Sequence, residues 1–92
     1  MNLEFVNRLI SDHPLLYRNS LSTDCPDEWY DLIKELSGKL ETIARGQEAL
    51  GQEPILAVQV KWKFGGLRFY IDPRNSEAVA LIAEAEEKSY TI

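Results

Sequence analysis

Hydrophobic positions recur at two different periods along this 92-residue chain, and the switch between them sets the expected fold. Leu3, Val6, Leu9 and Ile10 fall at helical spacing with Glu4, Asn7 and Arg8 between them, which predicts a first helix from about Asn2 to Ser11. Pro14 disfavours helical backbone at His13, so that helix should end near Asp12. "PLLYR" has room for one further turn. "NSLSTDCP" reads as a loop, because its side chains bond their own backbone in preference to a helix. Pro26 suits the first position of a second helix, with Asp27 and Glu28 complementing its positive end. Trp29, Leu32, Ile33, Leu36, Leu40 and Ile43 then trace one apolar stripe, giving a long helix from Pro26 to Arg45 or beyond. Gly38 inside it costs about 1 kcal/mol relative to Ala, which points to close packing there. Gly46, Gly51 and Pro54 mark residues 46–54 as a frayed end and connector.

From Pro54 the period becomes two. Leu56, Val58, Val60, Trp62 and Phe64 share one face; Ala57, Gln59, Lys61 and Lys63 share the other. Beyond Gly65-Gly66, Leu67, Phe69 and Ile71 alternate with Arg68 and Tyr70. A two-residue Gly-Gly loop is a favoured hairpin connection, since both central residues can take positive φ. It would pair Phe64 with Leu67, Trp62 with Phe69 and Val60 with Ile71, so that inward residues meet inward residues. "DPRNS" then turns into a last helix, with Asn75 or Ser76 as N-cap and Ala78, Leu81, Ile82, Ala85 and Ser89 as its buried side. Glu84, Glu86 and Glu87 should face out. The expected fold is α+β, in the order α-α-β-β-α, with an antiparallel β-hairpin packed against helices. A lone hairpin is marginal in water, so the helices must cover its apolar face.

Composition narrows this further. Ninety-two residues make a single domain, 1–92, with ordinary hydrophobic (45%) and charged (27%) content, which argues against wholesale disorder. The net charge of −5 disfavours non-specific attachment to nucleic acid or an anionic membrane, although a local basic patch could override it. No apolar run approaches the length of a membrane span, and the N-terminus lacks the pattern of a signal peptide. With one cysteine, Cys25, no internal disulfide can form, and cytoplasmic residence is the default expectation.

Motifs for catalysis are absent. His13 is the only histidine, and pairing it with Cys25 as base and nucleophile has no supporting motif. One Cys and one His give no metal-ligand spacing. "KFGGLRF" lacks the length and the Lys-Ser/Thr ending of a phosphate loop and joins two strands. The chain is therefore expected to be non-enzymatic, with no cofactor and no metal. Trp29 and Trp62 read as core residues. The remaining candidate is the outer face of the hairpin. The expected register sets Lys63 across from Arg68 and Lys61 across from Tyr70, and like charges directly opposite are destabilising. One reading is that these cations face water and discourage edge-to-edge pairing. The other is a partner-binding surface made of Gln59, Lys61, Lys63, Arg68 and Tyr70. The alternative surface is acidic, built from Asp27, Glu28, Asp31 and Glu35 with Glu84, Glu86 and Glu87.

The segments "HPLLYR", "DEWYDLIKELSGKLE", "VQVKWKFGGLRFYID" and "IAEAEEKSY", in that order, resemble a family of small uncharacterised phage, prophage and bacterial proteins with a VKxKFGGLRFY hairpin motif. The similarity covers nearly the whole chain and is most specific in the hairpin. Many relatives continue into a Cys-x-x-Cys-type tail and carry a helix cysteine where Ser37 stands here, so no zinc-dependent role carries over. The resemblance implies stoichiometric binding to a host or bacterial protein, for example as an anti-defence inhibitor such as an anti-CRISPR protein. The alternatives are a nucleic-acid-binding accessory protein that uses the hairpin face, a toxin immunity protein, or a small enzyme. For a phage-encoded protein the expected location is the host cytoplasm.

Overall fold

In the computed structural model, which describes all 92 residues, helix α1 runs Leu3–Asp12. Asn2 caps it: its side chain accepts the Phe5 N–H at 3.0 Å, satisfying a donor that has no partner inside the helix. The helix ends at His13, the residue before Pro14, as the sequence predicts. Its ring is buried, and Nδ1 donates to the Leu9 carbonyl at 2.8 Å. Residues 14–19 form a further turn. A short 3₁₀ turn, Asp27–Trp29, precedes helix α2, Tyr30–Ala49. Helix α2 therefore starts later than expected and runs through Gly46 into the predicted connector. It closes with Gly51 at φ +74°; the Gly51 and Gln52 N–H groups return to the carbonyls of Glu48 and Gln47, the bond pattern of a Schellman motif. Strands β1, Leu56–Lys63, and β2, Gly66–Asp72, form a two-stranded antiparallel sheet, and helix α3, Ser76–Ser89, ends the fold. Asn75 is its N-cap, bonding the Ala78 N–H at 2.9 Å. The expected α+β order α-α-β-β-α is the observed one.

One core joins all elements. Leu9, Leu16, Ile33, Leu40, Ile55 and Leu67 are fully buried, and Trp29 and Phe69 nearly so. Polar residues sit among them. Glu41 on α2 is buried, and its carboxylate accepts the backbone N–H groups of Leu15 (3.2 Å) and Leu16 (2.8 Å) with Arg45 beside it at 3.3 Å. The Tyr17 hydroxyl and Ser37 Oγ lie 2.6 Å apart, and burial pushes the Tyr17 phenol above its ordinary pKa. On the exposed side of the same turn, Arg18 donates to the carbonyls of Leu15, Pro54 and Ile55. The "HPLLYR" segment is thus a buckle joining α1, α2 and the start of β1. Gly38 does not mark close packing: an added Cβ would meet only the His13 ring, at an ordinary 4.0 Å.

The hairpin register differs from the expected one. The turn centres on Phe64-Gly65 rather than Gly65-Gly66, with φ +52° and +82° at these residues, the signs a type I′ turn requires. Lys63 pairs with Gly66, Trp62 with Leu67, Lys61 with Arg68, Val60 with Phe69 and Gln59 with Tyr70. A bulge at Val58 then reverses the facing of the start of β1. Ala57, expected outside, is buried, while Val58, expected inside, is exposed. Gly66 is thereby a strand residue, not a turn residue. A side chain at this position would overlap the Tyr90 ring, so glycine serves close packing against the end of α3, not the turn.

Each edge of the sheet is tied down at two N–H groups. The N–H groups of Leu67 and Phe69 point away from β1 and are accepted by Ser89 Oγ (2.9 Å) and Glu86 Oε2 (3.0 Å) on α3. Glu86 was expected to face out; it is half-buried because it holds this strand edge. On the other side the Leu16 carbonyl accepts the Ala57 N–H at 2.8 Å, and Asp24 accepts the Trp62 N–H at 2.9 Å. These bonds remove four of the edge donors that could template strand-to-strand association.

Candidate functional site: the hairpin face and tip

The pairing places Gln59, Lys61, Arg68 and Tyr70 on the outer face of the hairpin, with Lys63 at its distal end opposite Gly66. The expected Lys63–Arg68 pair does not form, because the turn lies one residue earlier. Lys61 faces Arg68 instead, so a like-charge cross-strand pair persists with a different partner. Lys61 also reaches diagonally over the Tyr70 ring, with Nζ 5.8 Å from the centroid. Arg68 is steadied from below: its guanidinium donates to the Leu67 carbonyl at 2.9 Å and to the Tyr90 hydroxyl at 3.2 Å, and the Tyr90 bond raises its pKa.

The structure adds aromatic residues that the sequence reading assigned to the core. Phe64, at the apex of the turn, is 82% exposed, more than any other large hydrophobic residue of the chain. Lys63 Nζ lies 5.6 Å from its ring centroid. Trp62 shares the core-side face with Val60 but sits beyond the helices, and it is half exposed, as are Tyr70 and Tyr90. The signal that could have identified Phe64 is the length of α3. Its C-terminal residues reach Gly66 and Leu67, which leaves nothing to cover a side chain two residues further out.

Charge is distributed unevenly. Residues 60–71 hold three cations and no carboxylate; setting these three positive charges aside takes the remainder of the chain from −5 to −8. Much of the acidic surface is engaged locally. Glu35 pairs with Lys39 and Glu84 with Lys88, Asp27 accepts the Asn2 N–H, and Glu86 holds β2. The Glu84 carboxyl is correspondingly lowered in pKa and the Lys88 ammonium raised, chiefly by their mutual hydrogen bond.

The residues weighed for catalysis are placed structurally. The His13 ring is tied to the last turn of its own helix, and Cys25 is fully buried with its thiol pKa raised, chiefly by burial. No helix is long and apolar enough to cross a membrane. Comparison with protein-family models, with curated proteins and with solved structures finds no match to this chain.

Proposed function

We propose that this chain is a protein-binding module whose contact surface is the hairpin: Gln59, Lys61, Lys63, Arg68 and Tyr70 on the outer face, extended by the exposed aromatic residues at the tip. One observation carries the reading. Three of the four exposed aromatic side chains, Trp62, Phe64 and Tyr70, lie on the hairpin and the fourth, Tyr90, bonds Arg68 of its outer face, while four N–H groups along the hairpin edges already have partners. Trp, Tyr and Arg are the types that dominate binding energy at protein interfaces. With edge donors near both ends of β1 and on β2 already bonded, the side chains of the hairpin offer a partner more than strand addition does. Nucleic acid is the weaker alternative. Three cations would release about three counterions, a salt slope near −3, whereas sizeable affinity for nucleic acid rests on about 6–10 phosphate contacts. The resemblance to phage and prophage proteins favours a host protein as the partner and inhibition of a host defence as the task.

The test compares the parent chain with Lys61→Ser/Lys63→Ser/Arg68→Ser in pull-downs from bacterial lysate, followed by affinity measurement on the captured protein. The triple variant should fold and bind more weakly, with slower association where the contacts are rim charges. Equal binding by both chains would remove the hairpin face from consideration. Steeply salt-dependent binding to DNA or RNA, with no protein captured, would support the alternative.

A further inference from the structure

The apex of the turn combines two features that work against stability. Phe64 has φ +52°, a left-handed conformation that bulky side chains rarely adopt and that Asn or Gly takes readily. Its ring, at 82% exposure, also leaves a large apolar surface in water. The neighbouring Gly65, at φ +82°, is the residue type such a turn calls for, so the local sequence follows turn chemistry at one central position and departs from it at the other. Strained backbone under an exposed anchor is a common arrangement at binding sites. The surroundings indicate what the anchor meets. Lys61, Lys63 and Arg68 stand on the hairpin beside it, Lys63 close to the ring itself, and no carboxylate lies between residues 60 and 71.

Resting on the protein-binding reading above, we infer that Phe64 is the anchor of the interface and inserts into an apolar pocket rimmed by carboxylates on the partner protein. The ring fills the pocket, and the three cations meet the rim. The conformation at Phe64 holds the ring out from the body of the protein, where the helices do not shield it. A pocket lined by like cations would be repelled, and an uncharged rim would leave the cations unpaired on contact.

The experiment uses a display library of random peptides as probe, selected on the parent chain. A synthetic peptide of the enriched consensus is then measured against the parent, Phe64→Asn and Lys61→Ser/Lys63→Ser/Arg68→Ser. The expected consensus carries aliphatic or aromatic residues flanked by Asp and Glu. Phe64→Asn should bind about tenfold or more weakly, the loss typical of an anchor residue, while its urea midpoint rises because Asn-Gly suits the turn. If Phe64→Asn binds within about twofold of the parent while the triple variant loses affinity, the anchor assignment fails and the hairpin-face reading stands. If both variants bind like the parent, both fail. No enrichment, or a consensus without carboxylates, overturns the acidic-rimmed pocket. Binding of single-stranded oligothymidine by the parent without peptide enrichment overturns the protein partner in favour of nucleic acid.

Discussion

Replacing Glu41 should damage the fold far more than its place on a charged helix suggests. The carboxylate is buried, and both oxygens accept backbone N–H groups from the turn after α1: Leu15 at 3.2 Å and Leu16 at 2.8 Å. Glu41→Ala leaves two shielded donors without an acceptor, at about 1–3 kcal/mol each, for a total of roughly 2–5 kcal/mol after partial hydration. Glu41→Gln retains one acceptor oxygen and turns an NH₂ group toward the other donor, so it should lose about 1–3 kcal/mol. Arg45 lies 3.3 Å from the carboxylate but is 62% exposed, and a pair of that kind contributes about 0–1 kcal/mol; Arg45→Ala should therefore be nearly silent. Urea denaturation followed by tryptophan fluorescence measures all three variants, because Trp29 is buried in the same core. A loss below about 0.5 kcal/mol for Glu41→Gln, or an Arg45→Ala loss equal to that of Glu41→Ala, would refute the argument that backbone capping outweighs the ion pair.

Three further outcomes follow from the packing. Trp29→Ala and Phe69→Ala should each destabilise by about 3–5 kcal/mol, the usual result of emptying a large aromatic core site, and the same denaturation assay reads it. Gly66→Ala should lose stability through overlap with the Tyr90 ring, and Tyr90→Ala in the same chain should recover part of that loss; additive effects in this double-mutant cycle would show that the two residues do not touch. At alkaline pH, Cys25 and Tyr17 hold their protons more tightly folded than unfolded, so the unfolded chain ionises first and stability falls as pH rises past about 9, the ordinary thiol value. Urea midpoints measured from pH 7 to 10.5 should decline, and Cys25→Ser should remove the earlier part of the decline.

The α+β order and most of the core could be read from periodicity, because burying one face of a helix or strand imposes a period of 3.6 or 2 on the sequence. That rule puts Trp29, Ile33, Leu36, Leu40 and Phe69 inside, where the structure has them. What periodicity could not supply were long-range polar bonds. Glu41 looks like any surface carboxylate, and only the three-dimensional return of the "HPLLYR" turn reveals it as a backbone cap. Glu86, a surface residue by period, is held against the sheet for the same reason, since its partner is a strand edge 17 residues away. The hairpin error was different. A Gly-Gly pair is a favoured turn signal, and the alternative, a phenylalanine at positive φ, is locally unfavourable. Local chemistry therefore points to Gly65-Gly66, whereas the structure turns at Phe64-Gly65 and uses Gly66 in the strand, packed under the Tyr90 ring. The candidate binding residues retained their common face because a shift of the turn by one residue moves each pairing by two, which preserves inside and outside near the tip.

That parity also isolates the question of function. Everywhere else on the hairpin, the departures from strand chemistry have structural causes. Gly66 makes room for Tyr90, Ser89 and Glu86 bond donors of one edge, and Asp24 and the Leu16 carbonyl bond donors of the other. On the outer face Arg68 has its bonds to the Leu67 carbonyl and the Tyr90 hydroxyl, but Lys61 and Phe64 have no such account. Lys61 opposite Arg68 is repulsive, and a glutamate in place of Lys61 would be the more stable choice. Phe64 is strained and wetted where asparagine would be neither. Stability selects against these residues, yet they adjoin one another on a single projecting element. A contact formed outside the folded chain accounts for both departures together, since the same partner surface that shields the ring can neutralise the cations. Solvated cations alone would explain Lys61 and Lys63, but they give no reason for an aromatic residue at the apex.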